Sequence, residues 1–276
     1  MDIEKLDKII EAALKEDMPA GDITSESLID PYSRSEAHII AREEGVLAGI
    51  DIAERVFTKI DRTLEFSKLK KDGQEFDKNS KLARIKGVSI SLLKGERLAL
   101  NFLQRLSGIA TLTRRYVDAL KGTKTKLLDT RKTTPCLRGL EKYAVSMGGG
   151  VNHRFDLSEM VLIKDNHLRL VGSIKESIQR ARKAVGKGIK IEVEAACLEE
   201  VREAVQYKAD IIMLDNMTAS EISRAVKLVG GKIPLEVSGN ITLDNLSKVA
   251  GLGVDFVSVG SLTHSYRSLD ISMEFL

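Results

Sequence analysis

From Thr125 onward, short runs of apolar and β-branched residues alternate with stretches whose apolar positions recur every three to four residues. The runs cover residues 126–129, 160–164, 189–194, 211–215, 235–238 and 256–260, with a weaker one at 150–153. Residues 173–185, 198–207, 219–229 and 243–250 carry the helical period and supply the crossovers that parallel strands require. Six or seven strands in α/β alternation are predicted. Polar and charged residues close nearly every run, instead of gathering at one switch point, which favours a TIM-like α/β barrel over an open doubly wound sheet.

The segment before Thr125 has a different pattern. Residues 1–17 form an amphipathic helix with Ile3, Leu6, Ile9, Ile10, Ala13 and Leu14 near one face. Asp17 to Asp22 reads as a loop and helix stop with no catalytic task. Strands are predicted at 35–41, 64–69 and 81–86, with turns such as Lys71-Asp72-Gly73 between them. Two helices follow, at 95–106 with Leu98, Phe102, Leu103 and Leu106 on one face, and at 109–120. The expected division is an N-terminal α+β domain at 1–105 and a barrel domain at 106–265.

Composition narrows the function classes. The 276 residues, 43% of them hydrophobic, can bury a substantial core. Lys plus Arg number 43 against 40 Asp plus Glu, so a net charge of +3 gives no general nucleic-acid or membrane surface, and any anion site must be local. No signal-peptide block and no apolar stretch of about 18 residues stands out, so a cytoplasmic enzyme is expected. Cys136 and Cys197 have no metal-ligand spacing and read as reduced thiols. A dinucleotide fingerprint and a Walker loop are both missing from the sequence.

Gathered around one barrel mouth, the strand ends present Arg131, Lys132, His153, Arg154 and Lys164, with two acids, Glu194 and Asp215. Each cation alone reads as a solvated strand end, but together they demand an anionic ligand. Glu194 and Asp215 are either salt-bridge partners of that cluster or carboxylates for a divalent cation carried by a pyrophosphate. Ser238-Gly239-Asn240 and Gly260-Ser261-Leu262-Thr263-His264 suit a phosphate site after the last two strands, or else tight turns. His38 and His167 suggest no ligand.

The motifs themselves resemble the quinolinate phosphoribosyltransferase family over nearly the whole chain. They include Gly21-Asp22-Ile23-Thr24, Glu96-Arg97-Leu98-Ala99-Leu100-Asn101-Phe102, Ser107-Gly108-Ile109-Ala110-Thr111 and Asp129-Thr130-Arg131-Lys132-Thr133. Others are Glu141-Lys142-Tyr143-Ala144, Asn152-His153-Arg154, Leu162-Ile163-Lys164-Asp165-Asn166-His167, Glu192-Val193-Glu194 and Leu214-Asp215-Asn216. The resemblance implies an incomplete, seven-stranded barrel behind the α+β domain, with a tail at 266–276 returning to that domain. It implies that Arg131, His153, Arg154 and Lys164 receive the quinolinate carboxylates and that Lys132 lies near phosphoribosyl pyrophosphate. Glu194 and Asp215 would serve Mg²⁺-pyrophosphate as metal ligands, and Arg97 would enter from a neighbouring subunit of a homodimer or larger oligomer. Two positions depart from the family's usual Gly: Cys136 and Asn240. Three rivals remain open: a relative acting on another ring such as nicotinate, a barrel aldolase with Lys164 as Schiff-base nucleophile, and a non-catalytic binder.

Overall fold

The computed structural model describes residues 3–186 and 188–276. The chain opens with α1 (Ile3–Asp17), α2 (Ile23–Leu28), β1 (Arg34–Ala41), β2 (Gly45–Val46), α3 (Ile50–Ile60), β3 (Glu65–Lys68), β4 (Glu75–Phe76), β5 (Lys81–Val88) and α4 (Ser89–Ala119). It continues through β6 (Lys126–Leu128), α5 (Arg138–Met147), β7 (Val161–Ile163), α6 (Asp165–Val171), α7 (Ile174–Val185), β8 (Ile191–Ala195) and α8 (Leu198–Gln206). β9 (Ile211–Asp215), α9 (Ala219–Val229), β10 (Leu235–Ser238), α10 (Leu243–Ala250), β11 (Phe256–Ser258), α11 (Ser261–His264) and β12 (Ile271–Phe275) complete it. None of the described helices is long and apolar enough to cross a membrane.

Two compact units result. The first comprises Met1–Arg114, Thr134–Gly149 and Ser265–Leu276, and the second Arg115–Thr133 and Gly150–His264. The first is built on an antiparallel sheet in the order β12-β1-β5-β3. Ile39, Ala83 and Ile85 form part of its core, and α3 contributes Ile52, Ala53, Val56 and Phe57. Full burial of a side chain like Phe57 contributes roughly 1.5–3 kcal/mol. The loop before α2 has a local reason: Asp22 caps that helix, its carboxylate accepting from Ser25 N–H at 3.0 Å.

The compact units divide after Arg114, further along the chain than the expected 105/106. Residues 109–120 do not start a second helix, because α4 runs unbroken from Ser89 to Ala119. Gly108 lies within it, and glycine is required there because a Cβ would stand 2.3 Å from the Arg267 carbonyl oxygen. The segment 134–149 also belongs with the first unit. Glu141, fully buried, pairs with Arg105 and accepts from Thr134 N–H at 3.0 Å, while Tyr143 donates to Asp72 at 2.7 Å.

The second unit holds a parallel sheet ordered β6-β11-β10-β9-β8-β7. Six strands are present, and the expected seventh at 150–153 is reduced to one parallel bridge between Val151 and Leu128. Two N–H groups beyond it are diverted: His153 N–H donates to Asp129 Oδ1 at 2.8 Å, and Arg154 N–H to His153 Nδ1 at 2.7 Å. With those donors committed to side chains, the ladder cannot extend. The sheet is nonetheless strongly curved. His153, beyond the β6 edge, lies within 3.5 Å of carboxylates on β8 and β10, which a flat sheet would hold several strand widths away.

Candidate active site

Strand alternation decides which side chains reach the lumen. Parallel register places Leu162 beside Glu192, Glu194 beside Met213, Glu236 beside Met213, and Ser238 beside Asp215. These residues therefore share one face, and Lys164, two beyond Leu162, follows the same phase. All of them but Glu192 line a cavity of about 750 Å³ at the C-terminal ends of the strands. Arg131, Lys132, His153, Arg154, Lys164, Glu194, Asp215, Ser238, Gly239, Asn240, Gly260 and His264 all line it. Arg97 does not; it is exposed on α4, in the other compact unit.

The upper wall is cationic. Arg154 Nη1 donates to the Met160 carbonyl at 2.8 Å, which fixes the guanidinium at the mouth. Burial and the neighbouring Arg131 guanidinium both lower the Arg154 pKa from its ordinary value. Arg131 Nε is itself buried without a hydrogen-bond partner. Two adjacent guanidinium groups with an unused donor are arranged for an anion carrying planar acceptors.

Lys164 forms an ion pair with Glu194, the salt-bridge partnership that is one of the two readings of this acid. Asp215 instead accepts from Asn216 Nδ2 at 2.8 Å. The two carboxylates close adjacent strands and both line the cavity, an oxygen-donor pair of the kind a hard cation takes alongside substrate oxygens.

The glycine-rich ends serve side-chain packing as well as any ligand. A Cβ on Gly239 would lie 2.1 Å from Asn216 Oδ1, and one on Gly260 would lie 2.9 Å from Lys132 Cδ. Lys132 thus crosses the bare face of Gly260, and its carbonyl accepts from Thr263 Oγ1 at 2.8 Å. Asn240 sits at φ 52°, the left-handed region that Asn tolerates better than most residues.

Sequence reasoning assigned no role to the floor of the cavity. There Glu192 and Glu236 are 0% and 1% exposed, with carboxylate oxygens 3.1 and 3.5 Å from His153 Nε2. The available signal was the alternation in Ile-Glu-Val-Glu-Ala and Leu-Glu-Val-Ser, which turns each deeper Glu to the same lumen as the strand-end residue two positions on. Burial opposes charge on His153, but the two carboxylates outweigh it and raise the imidazole to about 9. The 2.7 Å contact of Nδ1 with Arg154 N–H is the stronger constraint: a second hydrogen does not fit there, so the ring holds its proton on Nε2. The demand for a further proton falls on the acids, and burial foremost, with Glu236 nearby, raises the Glu192 pKa.

The chain also shows extended similarity to known proteins. Residues 22–107 match the family model of the quinolinate phosphoribosyl transferase N-terminal domain, and residues 109–274 that of the C-terminal domain. A probable nicotinate-nucleotide pyrophosphorylase (carboxylating) of Bacillus subtilis is 46% identical over 270 residues, covering 98% of this chain and 93% of that one. A mitochondrial quinolinate phosphoribosyltransferase (decarboxylating) of Nicotiana glauca is 38% identical, covering 98% of this chain and 82% of that one. The crystal structure of NadC from Streptococcus pyogenes superposes with a TM-score of 0.97 at 43% identity, covering 100% of this chain and 99% of that one.

Proposed function

The chain belongs to the quinolinate phosphoribosyltransferase family, the decarboxylating phosphoribosyltransferases of NAD biosynthesis, and from that premise we propose how its barrel mouth carries the reaction. The observation that carries the reading is the pairing of Arg131 and Arg154 beside an unused buried donor, in the same cavity as Glu194 and Asp215. A dianionic pyridine ring and a phosphorylated sugar satisfy both walls at once.

Arg131, Arg154 and Lys164 hold the two carboxylates of quinolinate, leaving the ring nitrogen directed at the sugar. Lys132, Ser238, Gly239, Asn240, Gly260 and His264 surround the phosphoribosyl donor. Lys164 must exchange Glu194 for a quinolinate carboxylate, which frees Glu194 to act with Asp215 at the pyrophosphate. Glu194 and Asp215 would hold Mg²⁺, which would supply neutralisation of charge on the leaving group.

The ring nitrogen attacks the anomeric carbon as its bond to pyrophosphate breaks, with oxocarbenium character developing on the ribose. The new C–N bond makes the pyridine cationic. The carboxylate beside that nitrogen then departs as carbon dioxide, its bonding electrons remain on the ring carbon, and a proton replaces it to give nicotinate mononucleotide. The aldolase alternative fares less well, since Lys164 is an ion-paired ammonium, whereas an imine-forming lysine attacks as a free amine.

Arg97, which lines no part of its own chain's cavity, completes the site of a second copy in a homodimer or larger assembly. The reading is tested by following nicotinate mononucleotide from quinolinate and phosphoribosyl pyrophosphate. Product should require both substrates, vanish in excess chelator and return with added Mg²⁺. Full activity in chelator would remove the metal from the account, and no product would remove the function.

A further inference from the structure

The reaction described above leaves Glu192 and Glu236 without a task. Glu192 Oε1 and Glu236 Oε1 are buried with no hydrogen-bond partner, a costly arrangement in a site that could hold apolar residues instead. The group that faces both acids is the His153 imidazole, whose Nε2 lies 3.1 Å from Glu192 Oε2 and 3.5 Å from Glu236 Oε2. The contact spans the lumen: the acids stand on β8 and β10, and His153 follows the single bridge at Val151 on the far edge of the sheet.

His153 is held at three points. Its N–H donates to Asp129 Oδ1 at the end of β6, its Nδ1 accepts from Arg154 N–H, and its Nε2 faces the two acids. The segment 150–154 has one ladder bridge to fix it, so these side-chain contacts do the work a full strand would do. The same three side chains could also be read as a metal centre, since their ligand atoms lie within 4.8 Å of one another. That reading fails on the ring: with Nδ1 accepting from a backbone N–H, Nε2 carries the hydrogen and offers no lone pair.

We propose that Glu192 and Glu236 are positioning residues for the quinolinate end of the cavity, holding the His153 ring and through it the backbone that sets Arg154 beside Arg131. The inference rests on the reading that Arg154 receives a quinolinate carboxylate. Glu192 lies outside the cavity lining and Glu236 reaches its wall beside His153; the effect of both passes through His153 to the guanidinium. Substituting them should therefore weaken quinolinate while sparing the phosphoribosyl donor, which is surrounded by the strand-end residues and not by His153.

The test compares Glu192→Leu, which removes the acceptor, with Glu192→Gln, which keeps an oxygen facing Nε2. Steady-state constants are measured for both substrates, together with thermal unfolding. Leucine should raise the quinolinate KM about tenfold or more, as expected when a binding group is displaced by a fraction of an ångström. The phosphoribosyl pyrophosphate KM should stay within about twofold, and glutamine should restore most of the quinolinate affinity. An unchanged quinolinate KM in a folded leucine variant, or equal changes in both constants, would overturn the proposal. Should Glu192→Leu not fold, Glu236→Leu and Glu236→Gln carry the same comparison; failure of both leucine variants to fold would make the acids structural and end it. A wild-type chain inactive on quinolinate refutes the function itself, which separates the two failures.

Discussion

Lys164 and Glu194, closing the neighbouring strands β7 and β8, meet as an ion pair on the rim of the cavity. The Glu194 side chain is only 12% exposed, but Lys164 is 44% exposed and can return to water when the acid is removed, so the pair contributes about 1 kcal/mol. The pair is therefore dispensable for folding. Glu194→Ala should cost no more than about 1 kcal/mol in a denaturant melt, yet lower turnover by roughly 100-fold or more if it serves the leaving pyrophosphate. A large stability loss with nearly intact turnover would assign Glu194 to structure alone.

The paired guanidinium groups set the choice of ring. Nicotinate lacks the carboxylate beside the nitrogen and would leave part of the Arg131, Arg154 and Lys164 cluster unmatched. Unpaired buried donors support discrimination on the order of 10⁴, so kcat/KM for nicotinate should fall below that for quinolinate by about this factor. Comparable values for the two acids would contradict the carboxylate clamp. Arg154→Ala should raise the quinolinate KM far more than that of the phosphoribosyl donor.

Much of this was legible in the sequence because a barrel strand ends where its chemistry begins. The runs closing in Glu194, Asp215 and Ser238 show both their strand character and their polar ends, and alternation alone turns those ends to one lumen. Three features were not legible. Residues 150–153 look like a strand, but Asp129 and the His153 ring take the donors that a ladder needs. Gly108 looks like a break between helices, but its glycine serves the close approach of the Arg267 carbonyl, more than 150 residues along the chain. Glu192 and Glu236 were invisible as a cluster, since only the curvature of the sheet brings β8, β10 and the segment after Val151 together.

Cys136 stands at φ 65°, in the left-handed region that glycine adopts at least cost. A left-handed conformation costs a non-glycine residue about 1–2 kcal/mol, partly offset by the greater freedom glycine has when unfolded. Cys136→Gly should therefore leave stability unchanged or raise it by up to about 1 kcal/mol. Cys136→Val should lower it, because a β-branched side chain suits that conformation least. Thermal melts of both variants check the order, and a more stable valine variant would contradict it.

If Arg97 completes the site of a second copy, chains carrying Arg97→Ala and chains carrying Arg154→Ala should each be nearly inactive but recover when mixed. One site of a mixed dimer carries both lesions and the other neither. Random reassortment makes about half the dimers mixed, so activity should return to roughly a quarter of wild type if the sites act independently. With exchange verified by differently tagged chains, activity that stays at the level of the separate mutants would show that Arg97 does not act across an interface.

The most direct measurement uses quinolinate labelled in the carboxylate beside the ring nitrogen. Released carbon dioxide is counted against pyrophosphate over the same interval, in the presence of phosphoribosyl pyrophosphate and Mg²⁺. The account predicts one labelled carbon dioxide for each pyrophosphate, with nicotinate mononucleotide appearing in the same amount. Pyrophosphate released while the label stays on the ring, or label lost without the sugar donor, would contradict it.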